Sequence, residues 1–300
     1  MEKYQYDPKR YQIKDIEEPP VVALWGAAIR THLWNDTYKR LLETNDCKFK
    51  MFLCGHHSPE KPLCEGIVFI HSSMNANACA EISFRHAVES GAKYMMYWQD
   101  DLVPSPGLLD AIIQEIDEAK DTELVCGAAF RPTLPGQRCR AQLDKNGYLK
   151  GQLECVTGQH NQGIVVPTMR TSTARKMGGF DKRFKAIQQM TESLIRLADL
   201  GNGEITFKTC DKVEVAEDMS VQEQLPGRRG RRSSREHGDS DDFTLYSIWN
   251  FSSYPAPFKC HRNLENEYYT DEELEFKRWS SLVSLMSVFT LVNRGTIIVI

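Results

Sequence analysis

The hydrophobic residues in the first 130 positions form short continuous runs, and stretches of mixed polarity separate them. The apolar runs cover residues 21–28, 48–54, 65–70, 93–98 and 122–130. Continuous runs of this length are typical of strands that are covered on both faces. Between them, apolar residues recur at helical spacing over residues 31–44 and 75–90 and again after Pro106. This alternation predicts an α/β fold with a mostly parallel, Rossmann-like sheet flanked by helices.

The pattern is weaker in the second half of the chain. Residues 131–163 are rich in Pro, Gly and polar residues and predict a loop or short hairpin, whereas the basic residues 222–242 predict a flexible loop. Further strands are predicted at 164–167, 204–210 and 212–217, and helices at 171–177, 191–201, 243–250 and 271–289. We therefore expect a lead-in (1–19), one large domain (20–250, with halves at 20–130 and 131–220) and a C-terminal helical extension (251–300).

Composition narrows the class of protein. The 300 residues are 41% hydrophobic and 26% charged, which suits one large globular core and excludes a disordered chain or a disulfide-stapled mini-protein. The nine cysteines are an odd number and follow a polar N-terminal stretch, so we expect reduced thiols and a cytoplasmic protein. No apolar stretch is long enough to cross a bilayer. The net charge of -4 gives no general attraction to nucleic acid.

Two adjacent aspartates, Asp100 and Asp101, lie between the strand predicted at 93–98 and the helix that follows it. The carboxyl ends of parallel strands are where open α/β folds bind ligands. Adjacent carboxylates repel each other, and Mg²⁺ or Mn²⁺ would relieve that repulsion while taking its other ligands from water and phosphate. The pair therefore indicates a metal and phosphate site, with a solvated turn capped by Asp100 as the alternative.

A second motif lies about eighty residues further on, where residues 178–184 read GGFDKRF. Together with QDDLVPSPGLL at 99–109, it resembles the nucleotide-sugar glycosyltransferases of the GT-A fold, of the inverting, family-2-like type. The resemblance covers roughly residues 20–250. It implies a transferase that moves a hexosyl or pentosyl group from a nucleoside-diphosphate sugar to an acceptor hydroxyl, with Mn²⁺ or Mg²⁺ as cofactor.

The resemblance also implies a set of metal ligands. The first acid of the family's Asp-x-Asp motif is replaced by Gln99, so Asp101 is expected as the principal ligand with Asp100 beside it. His237 resembles the late histidine that some of these enzymes add as a third ligand; a solvated loop histidine is the alternative.

The catalytic base is expected close to the second motif. The family commonly has a Glu-Asp pair after the GGFDKRF-type turn, whereas this chain reads QQMTES at 188–193 and has Glu192 as its acid in that window. An inverting transfer needs a carboxylate that accepts the proton of the acceptor hydroxyl. Glu192 is therefore the candidate base, and a solvated acid in the first turn of a helix is the alternative.

Residues for binding the donor are expected at the strand ends and in the basic loop. Small residues at a strand end allow a ligand to approach the backbone closely, so Trp25 and Gly26 are candidates at the end of the first strand. The further candidates are His56 for the nucleobase, Asp100, and the loop residues Arg228 and Arg229 with Arg231 and Arg232, which would fold over the diphosphate.

Three functional alternatives remain open. The acceptor is unknown, and the loop arginines make a modified base in DNA one option. A catalytically inactive GT-A-like binding or scaffold protein would explain the loss of the family's acids at Gln99 and Met190. A nucleotidyltransferase is the third option, although the segment WGAAIRTH at 25–32 lacks the Gly-rich loop of that class.

Overall fold

A mixed sheet of nine strands is the central element of the part of the chain that the structure describes, in the order β11-β3-β2-β1-β4-β7-β6-β8-β5. The computed structural model describes residues 17–119, 123–131, 165–185, 189–201, 205–217, 240–241, 243–245, 247–251 and 260–278. The strands are β1 (Val22–Ala27), β2 (Phe49–Gly55), β3 (Ile67–His71), β4 (Tyr94–Tyr97), β5 (Leu102–Pro104), β6 (Glu123–Arg131), β7 (Val165–Arg170), β8 (Ile205–Glu217), β9 (Trp249–Phe251), β10 (Cys260–Arg262) and β11 (Lys277–Arg278).

Helices separate most of the strands of the first half, as the sequence predicts, and two further helices lie in the second half. They are α1 (Thr31–Thr44), α2 (Ala76–Glu89), α3 (Leu108–Glu118), α4 (Thr171–Met177) and α5 (Gln189–Gly201). Asn75 caps α2 by accepting a hydrogen bond from the Ala78 amide, whereas α1 begins after Arg30 without a side-chain cap. Within the described ranges, none of the helices combines the length and the apolar character that a membrane crossing requires.

The predicted α/β class is confirmed, and the parallel pairing is confined to part of the sheet. Strands β3, β2, β1 and β4 are parallel neighbours, as are β6 and β8. Strand β7 runs antiparallel between β4 and β6, and β5 pairs antiparallel with β8. The parallel half therefore carries the strand ends at which a ligand is expected, and the other half is mixed.

Strand β8 corrects the prediction of two strands at 204–210 and 212–217. It is a single strand whose pairing with β6 moves from Cys210 opposite Ala128 to Glu214 opposite Ala129. The intervening residues 211–213 therefore form a bulge and not a turn. This lets the end of β8 reach β5, a short strand that the sequence pattern did not reveal.

Strand β1 explains why its sequence is apolar throughout. Alternate side chains of a strand point to opposite faces, and here both faces are covered. Trp25 packs on one side against Phe84 and Phe180, with ring centroids 5.0 and 5.6 Å apart. Leu24 lies in the core on the other side, together with Trp34 of α1. The strand is thus fixed between two packed layers.

Two glycines set how closely the parallel strand ends approach. A Cβ on Gly26 would lie 2.1 Å from the carbonyl oxygen of Trp98, and a Cβ on Gly55 would lie 1.9 Å from that of Ala28. Both distances are far below any real contact and both involve backbone, which cannot move aside cheaply. The absence of a side chain at these positions therefore permits the strand ends to meet.

The C-terminal segment forms strand and turn where the sequence predicts helix. Within the described residues 260–278, the chain forms β10, a turn, and β11, which pairs antiparallel with the edge strand β3. The prediction of a helix that begins at residue 271 is therefore wrong for residues 271–278. The apolar spacing there carries no information about the open edge of β3, with which Lys277 and Arg278 pair. Residues 243–245 and 247–248 are helical as predicted, and Trp249 begins β9.

This C-terminal segment is anchored to the rest of the fold by side chains. Ser72 donates a hydrogen bond from its hydroxyl to the Glu275 carbonyl oxygen, and Asn77 donates one to the Tyr269 hydroxyl at 3.3 Å. Arg85 of α2 forms an ion pair with Asp271. The segment therefore closes over α2 and the end of β3.

The close approach at Gly26 generates a testable prediction. Gly26→Ala should lower the free energy of unfolding by about 3 kcal/mol, because overpacking against backbone typically costs 1–3 kcal/mol or more. Gly107→Ala is the control: Gly107 has φ +73° but nothing within 4 Å of its Cβ position, so only the backbone cost of roughly 1 kcal/mol applies. Urea denaturation of both variants measures the difference. Equal losses would show that the approach of Trp98 to Gly26 is not tight.

Candidate functional site

The carboxyl ends of β1, β2 and β4 lie side by side and define the candidate site. Beyond the strands, the Ala28 amide donates a hydrogen bond to the Cys54 carbonyl oxygen, and the Trp98 amide donates one to that of Trp25, both at 2.8 Å. These bonds continue the strand pairing into the loops. The side chains that follow the three strands are therefore held at one edge of the sheet, where open α/β folds bind ligands.

Asp100 is buried and makes all its observed hydrogen bonds to the loop that joins β1 to α1. Its Oδ2 accepts hydrogen bonds from the backbone amides of Ile29 and Arg30, both at 2.6 Å. Its Oδ1 accepts a hydrogen bond from Nη1 of Arg30 at 2.6 Å. Only 5% of its side chain is exposed. The carboxylate thus connects the end of β4 to the start of α1.

Asp101 is the more accessible member of the acidic pair. Its Oδ2 lies 3.4 Å from Nη2 of Arg30, and 14% of its side chain is exposed. It borders a cleft between α1 and the segment that leads into β5. The residues that line this cleft are Leu33, Asp36, Thr37, Arg40, Asp100, Asp101, Leu102 and Val103.

A divalent cation held jointly by Asp100 and Asp101 does not fit this arrangement. The guanidinium of Arg30 contacts both carboxylates from between them, through Nη1 and Nη2. Both oxygens of Asp100 are already hydrogen-bond acceptors. A metal ion would meet this positive charge at close range and would have to displace these hydrogen bonds, so in this structure an arginine compensates one of the pair's two negative charges in place of a metal.

A separate group of metal-ligating side chains lies on α3 and β8. Donor atoms of Glu115, Cys210 and Asp211 lie within 4.8 Å of one another. Glu115 is paired with the ammonium groups of Lys208 and Lys212. Burial raises the pKa of the Cys210 thiol, so this group holds its proton. Neither feature favours a cation, and these residues lie on other elements than the acidic pair.

The residues predicted at the end of β1 lie beneath the site. Trp25 is 1% exposed and packs 5.0 Å from the ring of Tyr97. Burial, with the nearby charges of Asp101 and Asp100, raises the pKa of Tyr97 to about 12. Gly26 is buried against the Trp98 carbonyl. Donor binding by Trp25 and Gly26 stays a prediction, and in this structure they support the strand ends.

His56 and its neighbour His57 follow the end of β2 and are exposed. Their rings lie 3.9 Å apart between centroids. They therefore present imidazole surface at the same sheet edge as the acidic pair, one strand beyond β1. Contact of His56 with the nucleobase stays a prediction.

Glu192 lies on α5 in a fully buried cluster. Its Oε2 accepts a hydrogen bond from Nη2 of Arg196 at 2.9 Å, and neither side chain is exposed. Its Oε1 accepts further hydrogen bonds from Trp249 and Asn266, at 3.3 and 2.9 Å. In this position the carboxylate cannot contact an acceptor hydroxyl without breaking the ion pair, and its role as a base stays a prediction.

Arg196 connects this buried cluster to the turn of the GGFDKRF motif. Its guanidinium donates hydrogen bonds to the carbonyl oxygens of Met177 and Gly179, at the end of α4 and in the turn that follows. Burial alone would lower the pKa of Arg196, but the charge of Glu192 outweighs it and the pKa is raised. The ion pair thus fixes the Gly-Gly turn of the GGFDKRF motif.

Asp181 has a comparable role within that motif. It is fully buried, pairs with Arg183 at 2.6 Å and accepts hydrogen bonds from Asn266 and the Glu267 amide. Burial opposes its ionisation, but the hydrogen bonds from Arg183 outweigh burial, so the pKa of Asp181 lies below its usual value. Phe180 and Phe184 complete the core beneath it.

The remaining predicted site residues lie outside the described residues. They are His237 and the loop arginines Arg228, Arg229, Arg231 and Arg232.

Comparison with solved structures supports the fold. TarS from S. aureus, a GT-A-type glycosyltransferase, matches with 12% sequence identity and a TM-score of 0.50, covering 68% of this chain and 37% of that one. A 1–349 form of TarS matches with 10% identity and a TM-score of 0.50, covering 65% and 60%. The 1–349 form in complex with UDP-GlcNAc matches with 11% identity and a TM-score of 0.47, covering 65% and 58%.

The two likenesses with a TM-score of 0.50 show that the chain has a GT-A-like, Rossmann-type fold. The chain spans less than two thirds of the length of the TarS structures that it matches. No protein-family model matches the sequence, and no curated protein sequence does.

Two arginines of this region were not predicted from the sequence. Arg30 directly follows the first apolar run, so its place at the sheet edge was visible, but its partner is 70 residues away. Arg196 stands four residues after Glu192, which is the spacing of an ion pair on one helix face. That spacing was a readable signal that Glu192 has a structural partner.

The buried ion pair yields a prediction that separates its possible roles. Glu192→Gln should lower the free energy of unfolding by about 3 kcal/mol, because it leaves the Arg196 charge buried without a counter-charge. Arg196→Met should cost a similar amount, since it leaves Glu192 unpaired. Denaturant melts measure both. If Glu192→Gln keeps wild-type stability and loses activity alone, Glu192 is the base predicted from the sequence.

Proposed function

We propose that this chain is a glycosyltransferase that moves a sugar from a nucleoside-diphosphate sugar to an acceptor hydroxyl. The observation that carries the proposal is the combination of a GT-A-like fold with an acidic pair at the carboxyl end of β4. A GT-A fold alone hosts more than one function, and the site therefore has to support the assignment.

The edge of the sheet supplies the two features that a sugar nucleotide needs. His56 and His57 offer exposed ring surface after β2, on which a nucleobase can stack. Asp101 lines the cleft after β4, and Arg30 contacts it from the loop after β1, where the diphosphate and sugar would follow. The structural neighbour TarS has been solved with UDP-GlcNAc, which supports a uridine nucleotide as the first donor to test.

The mechanism predicted from the sequence is carried forward in part. An inverting transfer depends on a base, and the predicted base Glu192 is paired with Arg196. Gln189 belongs to the QQMTES stretch that stands where the family commonly has its Glu-Asp pair; it is the first residue of α5 and is also buried. The inverting course therefore stays a prediction. The acceptor stays a prediction too, with a modified DNA base as one option, because the loop arginines lie outside the described residues.

A binding protein that keeps the GT-A-like fold without catalysing transfer is the second candidate. The specific observation in its favour is that Asp100 and Glu192 each have an arginine partner in the structure. Such a protein would bind a sugar nucleotide and leave it intact.

A donor panel separates the two candidates. Purified protein should bind UDP-GlcNAc or another nucleoside-diphosphate sugar in calorimetry, and mass spectrometry should detect the free nucleoside diphosphate after incubation. Binding without any release of nucleoside diphosphate, with a panel of acceptors present, would favour the second candidate. Absence of binding across the panel would contradict both.

The placement of the nucleobase gives a residue-level prediction. His56→Ala should weaken UDP binding about two- to tenfold, because an aromatic stacking contact is worth roughly 0.5–1.5 kcal/mol. His32→Ala is the matched control, since His32 is also exposed but lies on α1 and not after the end of β2. Calorimetry with UDP measures both variants, and an equal effect would place the base elsewhere.

A further inference from the structure

The acidic pair has a resident cation, and this is the observation that extends the proposed function. Arg30 contacts Asp100 through Nη1 at 2.6 Å and Asp101 through Nη2 at 3.4 Å. One guanidinium therefore bridges two carboxylates. It lies where a divalent ion shared by the two carboxylates would lie. The side chain of Arg30 is 11% exposed, so the bridge is largely shielded from solvent.

The backbone holds this bridge in place. Asp100 also accepts hydrogen bonds from the amides of Ile29 and Arg30, so the carboxylate and the arginine are fixed to the same loop. Moving Arg30 away would leave Asp101 without this counter-charge and Asp100 with its backbone bonds alone. The guanidinium is thus built into the edge and is not a side chain that meets the acids by chance.

Arg30 also has an unused donor. Its Nε is buried and has no hydrogen-bond partner among the described residues. A phosphate oxygen is the kind of acceptor that a guanidinium binds best.

We infer that Arg30 takes the place of the divalent cation at this site, so that the chain binds the diphosphate of its donor without a metal ion. The inference rests on the proposed function for its ligand, but the exclusion of metal from the acidic pair does not. Arg30 brings one positive charge to the two negative charges of Asp100 and Asp101, so its contribution to diphosphate binding is directional N–H donors, whereas a metal ion would bring two charges and coordination.

The experiment uses Mn²⁺ and UDP as separate probes of wild-type protein, Arg30→Gln and the control Lys39→Gln. The control removes one positive charge from an exposed position on α1 that is not among the cleft-lining residues. Calorimetry with Mn²⁺ alone tests the acidic pair. Calorimetry with UDP, in EDTA and in Mn²⁺, tests the role of the cation in nucleotide binding. A thermal melt of each variant reports whether it folds.

We expect wild type and Lys39→Gln to bind no Mn²⁺ at the acidic pair and to bind UDP equally, within twofold, in EDTA and in Mn²⁺. Arg30→Gln should bind Mn²⁺ at least tenfold more tightly than wild type. It should also lose at least tenfold in UDP affinity in EDTA and recover part of it in Mn²⁺. The substitution would thus convert a metal-independent site into a metal-dependent one.

Two results would overturn the inference. One is UDP binding by wild type that falls tenfold or more in EDTA, and the other is Mn²⁺ binding by wild type that Asp101→Asn removes. The Asp101→Asn variant also serves if Arg30→Gln does not fold. If UDP binds to none of the proteins tested, the proposed function fails, while the Mn²⁺ titrations still decide whether Arg30 excludes the metal.

Discussion

The ionic bond between Arg30 and Asp100 is the interaction on which the rest of the site depends. It joins the loop after β1 to the end of β4, with the backbone amides of Ile29 and Arg30 completing the shell of donors. Gly26 and Gly55 allow the strand ends to come close enough for these contacts. Asp101 in the cleft and the exposed His56 lie at this same edge of the sheet, where the parallel strands end.

Carboxylates in motif positions recur in this fold as partners of arginine. Asp100 pairs with Arg30, and Asp181 pairs with Arg183. Glu192 makes a third such pair, with Arg196 of its own helix. In each pair the carboxylate is buried and accepts a charge-assisted bond that fixes the local chain. The acids that the resemblance suggested for chemistry therefore also hold the scaffold together, and an activity assay of any of them has to be read beside its stability.

The sequence carried enough information for the class of fold and for the place of the acidic pair within it. Fully apolar runs such as the one around Trp25 predicted strands covered on both faces, and Asp100 was expected at the correct sheet edge. The partner of Asp100 was not predictable, because Arg30 is local to another strand and only the parallel register brings the two together. Strand β11 was missed for a related reason, since edge pairing depends on an exposed strand elsewhere.

The ion pair between Glu192 and Arg196 is the exception, because the four-residue spacing on one helix was a readable signal of their pairing. Glu192 and Arg196 lie one turn apart, so their ion pair needs no long-range information. What the spacing alone does not give is burial. The cluster with Trp249 and Asn266 forms from distant segments and decides that the carboxylate is inaccessible in this structure.

The most direct test of the account is a crystal structure of the protein with UDP and MnCl₂, with diffraction data collected at the manganese absorption edge. The account predicts UDP at the carboxyl edge of β1, β2 and β4, with a phosphate oxygen within hydrogen-bonding distance of Arg30. It also predicts no anomalous peak between Asp100 and Asp101. A manganese peak coordinated by both aspartates, with Arg30 displaced from between them, would contradict it.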